Sequence, residues 1–338
     1  MSRSRLVMAM AGHARSPRSI AAALIWALAG CAPYIQTAGP AVVAPALEGE
    51  YVRAADGSRL ALKVWPAEGE AKAVIVAVHG FNDYGNAFDE PARYWARRGV
   101  TTYAYDQRGF GDSGRRGLWP GVDTLVEDLR AVTRLVSAEH DGAPVYLLGD
   151  SMGAAAVMTL MARPQAPPVE GIVLVAPAVW GWQTMNPFYS AGLWLGAHLI
   201  PWYTVTGKGL GIKPSDNREM LKALSQDPRT IKRTRIDSVY GLVGLMDEAF
   251  DAAGRIAVPT LVLYGDNDEV LPREPTLDML RRLSAPHRVA VYPAGFHMLL
   301  RDLEAETVLA DVAAWIADPS APLPSGLERA EERFLARD

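Results

Sequence analysis

One serine in the chain stands in a pattern that is typical of an activated nucleophile. The segment Gly149-Asp150-Ser151-Met152-Gly153 has the form G-x-S-x-G. An apolar run predicts a buried strand over residues 144–148, and a helix-forming run follows directly over residues 152–162. A strand that turns into a helix within one residue strains the backbone at the serine, and flanking glycines remove the side chains that would clash there. We therefore predict that Ser151 is a nucleophile on an exposed turn; the alternative is a tight structural turn.

A serine hydroxyl is a weak nucleophile at neutral pH, so this hypothesis requires a general base. Of the six histidines, His297 lies in a glycine-bearing loop just after the last predicted strand. Loops at the carboxyl ends of parallel strands open onto one face of a sheet, the face that also carries Ser151. We therefore predict that His297 is the base. His79, directly at the end of an earlier strand, is predicted to orient the neighbouring loop, with the role of a competing base as the alternative.

A base of this kind is usually held by a carboxylate, and two candidates follow the penultimate predicted strand. In Gly265-Asp266-Asn267-Asp268, the second aspartate lies farther from the turn, so we predict that Asp268 orients His297. Asp266 would otherwise brace the turn, a common role for an aspartate beside glycine.

The oxyanion of a tetrahedral intermediate needs two preorganised N–H donors. The amide of Met152, at the start of the predicted helix, is one candidate. The second is the amide of Phe81 in His79-Gly80-Phe81, because this segment directly follows a buried strand over residues 73–78. Charged residues of a nearby glycine-rich loop (Asp106, Arg108 and Asp112) are interpreted as bracing that loop.

The elements that must position these residues alternate between solidly apolar strands and helices. This alternation predicts an α/β fold, a mostly parallel sheet flanked by helices, with a hairpin at its start. The core is predicted over residues 49–178 and 257–317. Between them, residues 179–256 are rich in tryptophan and tyrosine but contain no sheet strand. A segment of this length cannot be a loop in a compact domain, so we predict an inserted helical cap over the sheet's carboxyl edge.

The N-terminal region carries a targeting pattern. Four arginines precede an apolar run at residues 20–30, which is too short to span a bilayer and is typical of a signal peptide. Leu28-Ala29-Gly30-Cys31 resembles the bacterial lipobox, and Cys31 is the only cysteine of the chain. We therefore predict a lipoprotein signal peptide (1–30), lipidation of Cys31, a tether (31–48) and a location in the bacterial cell envelope. The alternative is an ordinary signal peptide with an incidental cysteine.

Composition and charge exclude several classes of protein. The 338 residues are 49% hydrophobic and 21% charged, which is typical of a globular protein. Removal of the first 30 residues, which contain four arginines and no acid, would change the formal net charge from −4 to −8. An acidic protein gives no electrostatic reason to expect nucleic acid as a partner. No motif for a metal or a nucleotide is present, so no cofactor is predicted. The tail (318–338) has no assigned role; a packed surface helix that includes Leu327 is the default.

The residues above resemble serine hydrolases of the α/β-hydrolase fold, in their monoacylglycerol lipase and lysophospholipase branch. The chain order Ser151, Asp268, His297 matches the order in that fold. The similar segments cover roughly residues 51–317 and end with Ala294-Gly295-Phe296-His297. The sequence departs from this branch at Asp150, because the branch often has histidine at this position of the G-x-S-x-G turn.

The resemblance implies a serine esterase or lipase that cleaves carboxyl esters through an acyl-enzyme intermediate. Because the predicted cap is apolar and the chain is predicted to be tethered to a membrane, single-chain lipids such as monoacylglycerols or lysophospholipids are the expected substrates. Two alternatives remain: an aminopeptidase-like or small-ester hydrolase that uses the same triad, and a non-catalytic envelope lipoprotein. Dehalogenase and epoxide-hydrolase chemistry is disfavoured because the nucleophile position holds serine rather than aspartate.

Overall fold

A computed structural model of the protein describes residues 32–209 and 211–329. The predicted signal peptide, Cys31 and residues 330–338 of the tail lie outside these ranges. Over the described residues the chain forms a nine-stranded sheet, a separate two-stranded sheet and eight α-helices.

The nine-stranded sheet is mostly parallel. The strands of the protein, in chain order, are β1 (Ala46–Leu47), β2 (Tyr51–Arg53), β3 (Arg59–Trp65), β4 (Ala73–Val78), β5 (Val100–Tyr105), β6 (Val145–Asp150), β7 (Gly171–Val175), β8 (Thr204–Val205), β9 (Thr234–Arg235), β10 (Thr260–Gly265) and β11 (His287–Tyr292). The order across the large sheet is β1-β2-β3-β5-β4-β6-β7-β10-β11. Six neighbouring strands of this order pair in parallel: β5, β4, β6, β7, β10 and β11. At one edge, β1, β2 and β3 pair antiparallel with their neighbours. The predicted parallel sheet and the predicted β2–β3 hairpin are therefore confirmed.

Helices cover both faces of the sheet. They are α1 (Asp89–Ala96), α2 (Val122–Glu139), α3 (Met152–Met161), α4 (Pro187–Leu199), α5 (Arg218–Gln226), α6 (Ile236–Ala252), α7 (Arg273–Arg282) and α8 (Ala305–Ala317). One face buries apolar side chains of α2, α3, α6 and α7, and the other face buries those of α1 and α8. Each central strand is buried along its whole length because both of its faces are covered, which explains the continuous apolar runs in the sequence.

The segment between β7 and β10 contains three helices, α4, α5 and α6, and the two-stranded sheet β8–β9. Helix α6 packs against α3 and belongs to the main core, whereas α4 has a single buried residue, Ala197. The small sheet was not predicted, because each of its strands is only two residues long. The inserted segment therefore consists of a buried helix on the core and more exposed elements outside it.

The described part of the tail runs along the edge strand β11. The amide of Val291 donates to the carbonyl of Leu327 at 3.2 Å, and the amide of Arg329 donates to the carbonyl of Val289 at 2.9 Å. Leu327 therefore lies on extended chain and not on the surface helix taken as the default. An edge strand offers unpaired backbone groups, and pairing with the tail satisfies them.

The strand–turn–helix unit at Ser151 depends on the close approach of strands β4 and β6 and helix α3. Ser151 has a φ of +54°, between the end of β6 and the start of α3. A Cβ added at Gly149 would lie 2.4 Å from the Cα of Ala154, and one added at Gly153 would lie 1.9 Å from the carbonyl oxygen of Val78. No side chain fits in either place, so the two glycines are required for α3 to pack against the strands.

Replacement of Gly153 by alanine should therefore destabilise the fold. Because the added methyl group meets the backbone of β4, we expect a loss of about 1–3 kcal/mol or more in the free energy of unfolding. Gly192→Ala is the matched control: Gly192 lies in α4 with nothing within 4 Å of an added Cβ, so a gain of roughly 0.5–1 kcal/mol is expected there. Urea denaturation of both variants tests this. Equal stability of the two variants would contradict the packing argument.

Candidate active site

The structure brings Ser151 and His297 together. Ser151 is half-buried, and its Oγ lies 3.0 Å from Nε2 of His297. The two residues are 146 positions apart in the chain, but both follow carboxyl ends of parallel strands, β6 and β11. The distance of 3.0 Å between Oγ and Nε2 is within hydrogen-bond range for a nucleophile and its base.

Asp268 completes a chain of hydrogen bonds that begins at Ser151. Its Oδ2 lies 2.8 Å from Nδ1 of His297, and its Oδ1 accepts hydrogen bonds from the amides of Val270 at 2.8 Å and Leu271 at 3.0 Å. The other candidate, Asp266, pairs instead with Arg273. Of the two carboxylates that the sequence offered, the geometry therefore selects Asp268.

The loops that carry the aspartate and the histidine pack tightly on each other. A Cβ at Gly265 would lie 2.3 Å from the carbonyl oxygen of Phe296. The amide of Asn267 donates to the carbonyl of Gly295 at 2.9 Å, and the amide of Phe296 donates to Oδ2 of Asp302 at 2.7 Å. These contacts fix the backbone on both sides of the Asp268–His297 hydrogen bond.

The surroundings of His297 favour its protonated form. Burial by itself would lower the pKa of His297, but the charge of Asp268 and its hydrogen bond outweigh burial and raise the pKa above the ordinary value. An imidazole with a raised pKa accepts a proton from a hydroxyl more readily than an imidazole free in solution does. Asp268 then stabilises the imidazolium that results.

His79 orients the turn that follows β4. Its Nε2 accepts a hydrogen bond from the amide of Gln107 at 2.9 Å, so Nδ1 carries the proton and donates to the carbonyl of Gly80 at 2.8 Å. Burial lowers the pKa of His79, which keeps the ring neutral. With both ring nitrogens engaged in this way, His79 has the orienting geometry that we predicted and not that of a second base.

The turn after β4 lies directly beside Ser151. A Cβ at Gly80 would lie 3.5 Å from the Cβ of Ser151. In a trans peptide the N–H and the C=O point in opposite directions, so the hydrogen bond from His79 to the Gly80 carbonyl directs the amide of Phe81 the other way. Met152 is the first residue of α3, and the amides of a first helical turn have no intrahelical acceptor. Both predicted oxyanion donors therefore belong to segments next to the serine, and their role as donors stays a prediction.

A buried charged cluster under the site was missed by the sequence analysis. Arg301 pairs with Asp83 at 2.6 Å, and both side chains are nearly inaccessible to solvent. Asp150 is also buried, and burial raises the pKa of its carboxyl to about 6, with Arg301 and His297 opposing that rise. Asp83 and Arg301 are 218 residues apart, so no local pattern signals their contact.

The other polar loop residues brace the fold, as interpreted from the sequence. Asp106 accepts hydrogen bonds from the amides of Gly85 at 2.8 Å and Asp112 at 2.7 Å. Arg108 pairs with Asp56 at 2.8 Å and with Asp128 at 2.9 Å. No cluster of three or more potential metal-ligating side chains occurs within residues 32–209 and 211–329.

The fold and this arrangement together define an α/β-hydrolase with the site geometry of a serine hydrolase. The chain belongs to the family described as "Serine aminopeptidase, S33", whose model matches residues 69–304. It is similar to the monoacylglycerol lipase of Mycolicibacterium smegmatis, with 27% identity over 77% of this chain and 93% of that protein. These findings place it among monoacylglycerol lipase-like carboxylic ester hydrolases, as the sequence predicted.

Solved structures share the fold. The monoacylglycerol lipase of Paleococcus ferrophilus has a TM-score of 0.62 and 22% identity, over 77% of this chain and 99% of that one. A soluble variant of monoglyceride lipase from Saccharomyces cerevisiae, in complex with a substrate analog, has a TM-score of 0.69 and 19% identity, over 84% of this chain and 97% of that one. At these identities the likeness concerns the architecture.

Replacement of Asp150 by asparagine should move the pH dependence of activity. The negative charge of Asp150 raises the pKa of His297, although less than Asp268 does. Its removal lowers that pKa, so the neutral imidazole persists to lower pH. We expect the acidic limb of kcat/KM to move to lower pH by about half a unit to one unit. Measurement of kcat/KM from pH 4.5 to 9 checks this, and an unchanged limb would show that Asp150 does not influence His297.

Proposed function

We propose that this protein hydrolyses carboxyl esters of single-chain lipids, monoacylglycerols or lysophospholipids, with Ser151 as nucleophile. The observation that carries the proposal is the continuous hydrogen-bonded chain from the Ser151 hydroxyl through His297 to Asp268 on a strained turn. The activity named for the Mycolicibacterium smegmatis relative supports the choice of ester and lipid.

The reaction follows from the positions of these groups. Ser151 Oγ attacks the ester carbonyl while Nε2 of His297 takes its proton, and Asp268 stabilises the imidazolium. The amides of Phe81 and Met152 donate to the oxyanion that forms. His297 then returns the proton to the leaving alcohol, and an acyl group remains on Ser151. Water, deprotonated by His297, attacks this acyl-enzyme and releases the fatty acid and the free serine.

The inserted segment borders the site and supports an acyl substrate. The amide of Ile231 donates to the carbonyl of Asn82 at 3.0 Å, which joins the segment to the turn that carries Phe81. The ring of Phe81 packs edge-on against Phe110 and Trp119. An apolar wall beside the oxyanion position suits an acyl chain better than a charged amino terminus.

The second candidate, peptide hydrolysis at an amino terminus, follows from the description of the family. The two functions are separated by a substrate panel in one buffer: 1-monoacylglycerol, lysophosphatidylcholine, a short p-nitrophenyl ester and an aminoacyl amide. We expect hydrolysis of the single-chain lipids to exceed that of the amide by orders of magnitude. Preferential release of an amino acid would favour the peptidase, and hydrolysis of the short ester alone would favour a small-ester hydrolase.

Ser151→Ala should abolish turnover and covalent labelling by a fluorophosphonate. Removal of the nucleophile of a serine triad costs on the order of 10⁶ in kcat. Labelling of the native protein and of the variant is compared on a gel, together with ester hydrolysis. Equal labelling of the two proteins would contradict the assignment of Ser151. Absence of labelling in both would favour the non-catalytic alternative.

Asp268→Asn and Asp266→Asn form a matched pair for the same hypothesis. Loss of the carboxylate that orients His297 should reduce kcat on the order of 10⁴, as removal of a triad acid does. Asp266 pairs with Arg273 instead, so its replacement should affect thermal stability and leave kcat within a few-fold of the native value. An equal loss of kcat in both variants would contradict the role of Asp268.

We further propose that Cys31 is lipidated and that the mature protein is anchored in the bacterial cell envelope. The sequence pattern supports this, and Cys31 lies outside the described residues. Within residues 32–209 and 211–329, no helix is long and apolar enough to cross a bilayer. Cys31→Ser should abolish incorporation of radiolabelled palmitate in a bacterial host, while Cys31→Ala provides a second non-acylatable variant. Palmitate that still incorporates into either variant would contradict the anchor.

A further inference from the structure

A groove lies at the end of the sheet opposite to Ser151. Its floor consists of the amino ends of β4, β5 and β6, at Ala73, Val100 and Tyr146, and its walls belong to α1 and α8. Ser151 follows the other end of β6, roughly 17 Å from Tyr146 at the usual rise of a strand. The groove has a volume of about 650 Å³, which is the size of a small-molecule site. It is therefore a separate cavity that the candidate active site does not use.

The interior of the groove is apolar. Ala310, Ala314 and Ala317 follow one another at helical spacing, so α8 presents small side chains to the groove over about 10 Å of its length. Tyr94 of α1 lines the other wall, and its side chain is buried. An alkyl chain in this groove therefore contacts carbon atoms of the floor and of both walls.

Two cations lie together at one end of the groove. Lys72 and Arg98 both line it, and both adjoin Gly99: the amide of Lys72 donates to the Gly99 carbonyl at 2.8 Å, and a Cβ added at Gly99 would lie 3.1 Å from Cδ of Lys72. None of the described side chains that line the groove is acidic. A positive end on an apolar groove complements an amphiphile whose head group is negative.

The two cations differ in what they offer to a ligand. The guanidinium of Arg98 donates to the carbonyl of Tyr94 at 3.1 Å and lies 3.5 Å from the centroid of the Tyr94 ring. Lys72 is exposed, and its ammonium has no hydrogen bond or ion pair with the described residues. One unpaired ammonium matches a head group with a single negative charge, whereas a doubly charged phosphate would need a further cation.

We propose that this groove binds a long-chain fatty acid, with its carboxylate at Lys72 and its alkyl chain along α8. Burial of the chain provides most of the affinity, and the ammonium decides which end of the acid lies at Lys72. A fatty acid is also the product of the ester hydrolysis proposed above, and this link alone rests on the proposed function. Binding in the groove requires only the folded protein.

Photocrosslinking locates the bound acid. Full-length Ser151→Ala, in which no acyl-enzyme can form at Ser151, is irradiated with palmitate that carries a diazirine in its chain, and the modified residues are identified by mass spectrometry of peptides. We expect adducts within residues 310–317 of α8 and at Tyr94 of α1. Adducts confined to residues around the candidate active site, or no adducts at all, would overturn the proposal.

Competition against the crosslink on α8 identifies the head group. We expect palmitate to compete about fivefold or more better than hexadecanol, because the alcohol has the same chain but no charge for Lys72. Hexadecyl phosphate is the third competitor and should not exceed palmitate. Equal competition by palmitate and hexadecanol would contradict the role of Lys72, and stronger competition by hexadecyl phosphate would assign the groove to a phosphate head group instead.

Two matched pairs of variants test the residues of the groove. Ala314 and Ala305 are both half-buried alanines of α8, but only Ala314 lines the groove. We expect Ala314→Trp to lower the yield of the crosslink about tenfold or more, because the indole fills the space of the alkyl chain, and Ala305→Trp to leave it unchanged. Lys72→Glu should lower it about fivefold or more, whereas Lys222→Glu, at an exposed lysine of α5, should not.

Equal yields within both pairs would contradict the proposal. The lysine pair, at exposed positions, decides the question if Ala314→Trp does not fold. Because the crosslink reports binding and not turnover, its failure is distinct from a failure of ester hydrolysis: a protein without esterase activity that still crosslinks palmitate on α8 would retain the groove and lose only the proposed reaction.

Discussion

The close approach of α3 to the central strands is the constraint on which the rest of the site depends. The carbonyl of Val78 lies where a Cβ of residue 153 would be, and the backbone of Ala154 lies where a Cβ of residue 149 would be. Only with glycine at both positions can the chain reverse between β6 and α3, and this reversal leaves Ser151 with a φ of +54°. The strain is retained because buried strands and a buried helix hold both ends of the turn. The turn therefore fixes the backbone of Ser151 at the sheet edge, where its Oγ lies 3.0 Å from Nε2 of His297.

A second constraint is electrostatic, because several charges are buried beneath the turn. Arg301 pairs with Asp83, and Asp150 and Asp302 add further negative charge near it. Buried charges are costly unless they are compensated, and Arg301 offsets these carboxylates: its charge opposes the rise in the pKa of Asp150 that burial causes. Asp150, whose pKa of about 6 lies close to neutrality, is the member of this cluster whose charge is most sensitive to pH.

Sequence reasoning succeeded where a residue's role is set by local structure. The turn at Ser151, the continuous apolar strands and the glycine-bearing loop before His297 each have a local physical cause, and Asp268 could be ranked above Asp266 by its distance from the turn. It failed where the cause is a distant contact. The sequence analysis assigned no role to Arg301 or Asp302, because their partners Asp83 and Ser215 are far away in the chain. The pairing of Leu327 with β11 was missed for the same reason.

The contacts of Asp302 show why the inserted segment and the site cannot be treated as separate parts. One carboxylate oxygen accepts from the hydroxyl of Ser215, in the inserted segment, at 2.6 Å, and the other accepts from the amide of Phe296 at 2.7 Å. Phe296 precedes His297, and Met298, which follows it, donates from its amide to the carbonyl of Pro214 at 3.0 Å, so the inserted segment contacts the chain on both sides of the imidazole. A hydrogen bond from Asn217 to the carbonyl of Arg301 adds a second link. The inserted segment therefore helps to hold the loop that carries the base.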